Sequence, residues 1–199
     1  MKKITLTILF TFLLLTSTRL CFSANTKTVD VKAEIPPLNA LTVSITKYSD
    51  SGQIIGTNEG SVNFGTLSYD SKEKIFKAAC FYAVDAFVDS NESNWMITHN
   101  VESIRHQSRG ETLDRHIIVT FFQWHRPTVP GPVAQLGKFS FADSTGKAYN
   151  STVLPGKGLR IIYEIAKKND TALGVTHITD SKPIGQYQGR ITVTFVAQQ

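Results

Sequence analysis

An all-β fold, specifically an antiparallel β-sandwich, is what this sequence of 199 residues predicts. Three observations predict it. The dominant hydrophobic period is two, the repeat of a strand with one apolar and one wet face. The apolar runs are short and punctuated by turn residues, with 13 glycines and 7 prolines, all beyond residue 35. No internal repeat or low-complexity linker divides the chain, so the strands belong to one layered domain. Composition agrees: 41% apolar, 10% aromatic and 19% charged residues exclude a disordered tail, a collagen-like fibre and a coiled coil.

The elements follow in chain order. Lys2 and Lys3 precede an apolar run at residues 4–15, which gives way to a polar stretch at 16–19. This is the layout of a secretory signal peptide, and the run is too short to span a membrane. Cleavage after Ser23 puts Cys21 and Ser23 at the small-residue positions, so residues 1–23 are read as leader. Thr18, Arg19 and Leu20 lack the small residues of a lipoprotein site.

Val29, Val31, Ala33 and Ile35 then alternate with Asp30, Lys32 and Glu34, predicting a strand over 28–35. Pro36 and Pro37 stop its ladder, since neither donates a backbone hydrogen bond. The reading is therefore an N-terminal extension, 24–37, ahead of a single sandwich domain, 38–199. Leu41, Val43 and Ile45 mark the next strand. A turn-rich stretch at 48–59 leads to a short strand at 62–67.

Residues 75–88 fit either a strand or a helix. Phe76, Ala79, Ala83 and Phe87 would form a helical stripe, and four alanines favour one. The aromatic and β-branched content and the strand-rich surroundings favour a buried strand, which is preferred. Further strands are expected at 95–98, 117–123, 138–141, 159–165 and 191–196, with turns at 127–132, 143–146 and 155–158. Residues 101–115 are too polar for a packed strand and read as a surface loop.

Charge and cysteine bound the function. Lys2, Lys3 and Arg19 leave with the leader, so 21 basic residues become 18 against 16 acidic ones. The lysines are scattered and no basic stripe interleaves with aromatics, so no nucleic-acid partner is expected. At roughly 175 residues the mature chain has ample core for one domain. Cys80 alone remains after cleavage, which leaves no internal disulfide. Its apolar neighbours at 78–84 make it a buried hydrophobe rather than an activated nucleophile.

Nothing points to catalysis, a cofactor or a metal. His99, His106, His116, His125 and His177 form no HExxH or His-x-His pair, and no CxxC, GxSxG, Walker loop or GxGxxG occurs. Asp114 and His116 are the nearest approach to a ligand pair and read better as a solvated polar face. The residues Gly156, Lys157 and Gly158 follow Pro155 and read as a turn. Trp95 and Trp124 are candidate stacking surfaces for a sugar ring, with core packing the simpler alternative. Sequons at Asn91, Asn150 and Asn169 matter only in a eukaryotic secretory pathway, and the leader has a bacterial character.

The two ends of the mature chain carry the sharpest signal. The alternating strand at 28–35 is isolated by its two prolines. The other end runs Gly185-Gln186-Tyr187-Gln188-Gly189 into a terminal strand, and Asn63-Phe64-Gly65-Thr66-Leu67 holds an FGTL segment. This combination resembles the subunits of bacterial chaperone–usher pili, in particular the colonisation-factor-like class of major fimbrial subunits, over about 30 mature residues. The resemblance implies an immunoglobulin-like sandwich short of one strand, with a bare sheet edge. It implies that a periplasmic chaperone and an outer-membrane usher handle the chain, and that neighbouring subunits donate strands by β-strand addition. Val29, Val31, Ala33 and Ile35 would then be the donor-strand side chains; the alternative is that residues 28–35 pair within their own sheet as an ordinary edge strand. The segment spans about 20 Å, and burying the four would contribute on the order of 6–10 kcal/mol before ordering costs. The alternative is an exported carbohydrate- or protein-binding module that does not polymerise, with a host glycan as the partner of Trp95 or Trp124.

Overall fold

The computed structural model describes residues 34–126, 133–168, 170 and 174–197. The chain divides into two compact units, Met1–Ile35 and Pro36–Gln199. Of the first, Glu34 and Ile35 alone are described; they lie outside any strand, and Ile35 is 83% exposed. The expected leader, the alternating positions Val29, Val31 and Ala33, the 127–132 loop and the Asn169 sequon lie outside the described residues.

The second unit is all β and antiparallel. Its main sheet has six strands in the order β2 (Ile54–Thr57), β1 (Asn39–Ser49), β5 (Cys80–Ser90), β10 (Lys157–Ile165), β7 (Ile117–His125) and β8 (Gln135–Ser140). A three-stranded sheet packs on it in the order β12 (Tyr187–Ala197), β6 (Trp95–His106) and β9 (Lys147–Asn150). A small third sheet, β11 (Ile178–Thr179), β4 (Ile75–Lys77) and β3 (Ser68–Asp70), adds Ile178 to the core cluster. The core lies between the layers. Val84, Ala86 and Val88 of β5, Val119 and Phe121 of β7, and Leu159, Ile161 and Tyr163 of β10 meet Trp95 and Ile97 of β6.

Residues 75–88 are strand, not helix, broken at Ala78 and Ala79, where β4 ends and β5 begins in another sheet. The ambiguity has a physical source. Val84 and Ala86 face the core, while Ala83 and Asp85 on the opposite face are also buried. A strand covered on both sides loses its alternation.

Two expectations are corrected. Residues 62–67 form no strand: the Asn63 side-chain oxygen accepts from Gly65 N at 2.9 Å, and Gly65 takes φ +66°, a left-handed turn that leaves the ladder. The segment is instead a plug. Phe64 packs edge-on to Tyr82 at 5.6 Å, and the Tyr82 hydroxyl donates to Asn63 O at 2.5 Å. Residues 101–115 are not one loop either, because β6 runs on to His106 against β12. Glu102 and Arg105 face outward, Glu102 meeting Arg190 at 3.3 Å. Asp114 then anchors the strand, accepting from Ile104 N at 2.6 Å and from the Ser103 hydroxyl.

The glycine–tyrosine stretch at the start of β12 has its own packing logic. The Tyr187 hydroxyl donates to Pro183 O at 2.9 Å, four residues upstream, and its ring meets His106 edge-on at 4.9 Å. This is a tyrosine corner, the device that ties a strand's start to the turn before it in immunoglobulin-type sandwiches. Gly185 has φ +154°, and a Cβ there would fall 2.2 Å from His106 Nε2. Gly189 sits at the bulge between Gln188 and Arg190, where a Cβ would fall 2.6 Å from Ile104 Cγ1.

Candidate strand-acceptor groove

The site begins with two sheet edges. β1 pairs with β5 along its whole length, but its opposite edge meets β2 at Thr46–Tyr48 alone, with one further bond from Glu59 N to Ile45 O at 3.0 Å. Among the described residues, 39–44 therefore present an unpaired edge. Among the described residues, β12 is the outer strand of the smaller sheet and pairs with β6 alone. β1 and β12 approach each other without pairing, so among the described residues two strand edges lie side by side with no strand between them.

The side chains on its walls are apolar. Leu41, Val43 and Ile45 lie on the core-facing side of β1, opposite Val88, Ala86 and Val84. Ile191, Val193 and Phe195 face the core from β12. Most are half-buried. Val43 is 46% exposed even though its cross-strand partner Ala86 is fully buried. An inward-pointing valine left nearly half wet means that nothing among the described residues closes the sandwich there.

Both ends of the groove are fixed. Lys47, next on the inward face of β1, lies 5.8 Å from the Tyr82 ring, which holds its ammonium above the ordinary lysine pKa. At the other end Asn91 clamps the entry to β1. Its Oδ1 accepts from Leu38 N at 2.8 Å, its Nδ2 donates to Pro36 O at 3.1 Å, and its backbone N donates to Leu38 O at 3.2 Å. The double proline thus delivers the chain into a clamped strand start. An extended segment laid in the groove would gain main-chain bonds on both sides and cover the apolar walls.

The other sequence candidates are placed as follows. Trp95 is 3% exposed in the core, 6.4 Å from Phe195, with no face open to a sugar. Trp124 is on the outer face of the main sheet, where the Arg160 guanidinium covers it at 3.3 Å from the ring centroid. That cation is itself held by Asp85 in two 2.6 Å bonds. Asp114 and His116 diverge, the first to Ile104 N and the second with Nδ1 2.7 Å from Thr176 O. Cys80 is 6% exposed and free. Beside it is a cleft, two of whose lysines are neutralised locally: Lys167 meets Asp50 at 2.7 Å, and Lys77 meets Asp70 at 2.8 Å and Glu73 at 2.9 Å. Among the described residues, no three His, Cys, Asp or Glu side chains converge as a metal site.

Sequence reading named the inward residues of β1 but could not say that the groove above them is open. It also passed over His99, whose alternation with Trp95, Ile97 and Val101 was the available signal that it points inward. In comparison with known proteins, the chain matches no family model, and no curated protein matches its sequence.

Proposed function

We propose that this chain is a structural subunit of a bacterial surface fibre, exported through the periplasm and assembled by strand donation into the groove between β1 and β12. The observation that carries the reading is Val43, aimed at the core yet 46% exposed between two strand edges that are unpaired among the described residues. The donated strand is the segment with Val29, Val31, Ala33 and Ile35 from a neighbouring copy, whose alternation supplies one apolar face to the groove and one charged face to water. A periplasmic chaperone and an outer-membrane usher are the assembly partners in this reading, since a subunit with bare edges needs cover before it meets its neighbour. No catalytic step and no cofactor enters.

The test is assembly of the exported chain with and without residues 24–35. Subunits joined by a donated strand should run as ladders in SDS without boiling, and the deletion should leave monomer alone. Ladders that persist without the segment would refute the proposal.

A further inference from the structure

His99 is fully buried between the two main sheets. Its Nδ1 lies 2.9 Å from the carbonyl oxygen of Ser144, which can only accept, so Nδ1 carries the ring proton. Nε2 is then a bare lone pair, and the Tyr163 hydroxyl, 2.7 Å away, donates to it. Three elements meet at this imidazole: β6 of the smaller sheet, β10 of the main sheet, and the 3-10 turn Ala142–Ser144. Phe121 packs on the ring at 5.1 Å.

The charged and titratable groups facing this point can be named element by element. Lys147 of β9 stands directly opposite His99 in register, its ammonium drawn over the Phe139 ring at 4.1 Å. Val193 is the β12 partner. Tyr149 of β9 packs on Phe121 at 5.3 Å. Asp143 of the turn is committed to the Ser140 hydroxyl at 2.6 Å and to Arg115 at 3.2 Å. No carboxylate contacts His99 among the described residues.

We propose that His99 is an acid-sensitive clasp, joining the two layers while neutral and releasing them when its ring takes a second proton. A proton on Nε2 sets two donors against each other, N–H facing the Tyr163 O–H, and the phenol must turn away to seek another acceptor in an apolar core. Burial of the ring opposes the cation as well, and the Ser144 carbonyl offsets this in part. The folded state therefore binds the proton less readily than the unfolded chain. Stability is full above the ordinary histidine range and falls as pH drops through it. His116, buried with its Nδ1 on Thr176 O, shifts in the same direction, chiefly by burial.

The test is denaturant unfolding of the whole chain at pH 7.5, 6.0 and 5.0 for wild type, His99→Gln and His116→Gln. Below about pH 6.5, each histidine held neutral should lower the folding equilibrium constant by about tenfold per pH unit. The wild type should lose stability on acidification with both histidines contributing, and each variant should show a shallower slope than the wild type. A second measurement needs no variant. Histidine-ring NMR of wild type should show His99 as the Nδ1–H tautomer throughout the folded range. An unchanged pH slope in His99→Gln, or a folded wild type in which His99 gains its second proton near pH 6.5, overturns the clasp. Should His99→Gln not fold, the slope left in His116→Gln and the ring tautomer decide the matter.

Discussion

Substituting Val43 by aspartate separates the groove from the fold around it. In the isolated subunit Val43 is 46% exposed, so the change forfeits about half of a buried valine's stabilisation, roughly 1 kcal/mol. A strand laid over it would enclose the new carboxylate between apolar walls formed by Leu41, Ile45 and Val193. Enclosing an unpaired charge costs several kcal/mol, and a loss of about 3 kcal/mol alone weakens association by more than a hundredfold. Thr42 supplies the control, because it is one residue away, exposed, and on the outer face of the same strand. The assay is the yield of SDS-resistant ladders from V43D and T42D, with denaturant midpoints of the monomers. V43D should remain folded and fail to assemble, and T42D should assemble as wild type does. Assembly of V43D at the wild-type level, or equal failure of both, would overturn the assignment of the groove.

Asp85→Ala strips the Arg160 guanidinium of both its 2.6 Å bonds and should cost on the order of 3 kcal/mol by denaturant unfolding, with a changed near-ultraviolet signal from the covered Trp124. Tyr187→Phe removes the bond to Pro183 O and should cost about 1 kcal/mol. Gly185→Ala should cost more, because it adds backbone strain of roughly 1–3 kcal/mol to a collision with His106. Asp70 is held at a pKa of about 2 by the Lys77 ammonium first and by backbone N–H bonds from Glu73 and Lys72. Its contribution is present above the ordinary aspartate value and is lost only as pH falls toward 2. Carboxyl NMR should place its midpoint there, and Lys77→Ala should move it upward.

Most of the strand content was legible because edge and one-sided strands keep their alternation. Leu41, Val43 and Ile45 announced β1, and Ile191, Val193 and Phe195 announced β12. β5 was ambiguous because cover on both faces erases the period. The plug at 62–67 reads as a strand until Gly65 is seen in a left-handed turn. The far half of β6 looked like a loop because its ladder bonds come from β12, some 90 residues away. β2, β3, β9 and β11 have two to four residues each, too few for any period to show. The groove itself could not be read. Alternation says which side chains point inward, not whether a further strand covers them.

The flanks of the sandwich differ in how their edges are defended. On the side of β8 and β9 the core is closed: Phe121 meets Phe139 at 5.9 Å and Tyr149 at 5.3 Å, and Ser144 of the 3-10 turn is fully buried. The edge strands there are short, and each carries a lysine, Lys138 and Lys147. β8 also breaks register between Phe121 and Phe122 of its partner. These are the usual guards against stray pairing. On the other flank, residues 39–44 of β1 hold no charge and no proline. β12 places its bulge and Arg190 near its start, leaving Ile191–Ala197 regular and uncharged. Among the described residues one flank is guarded and the other is not, which is the arrangement expected where a further strand covers the unguarded edges.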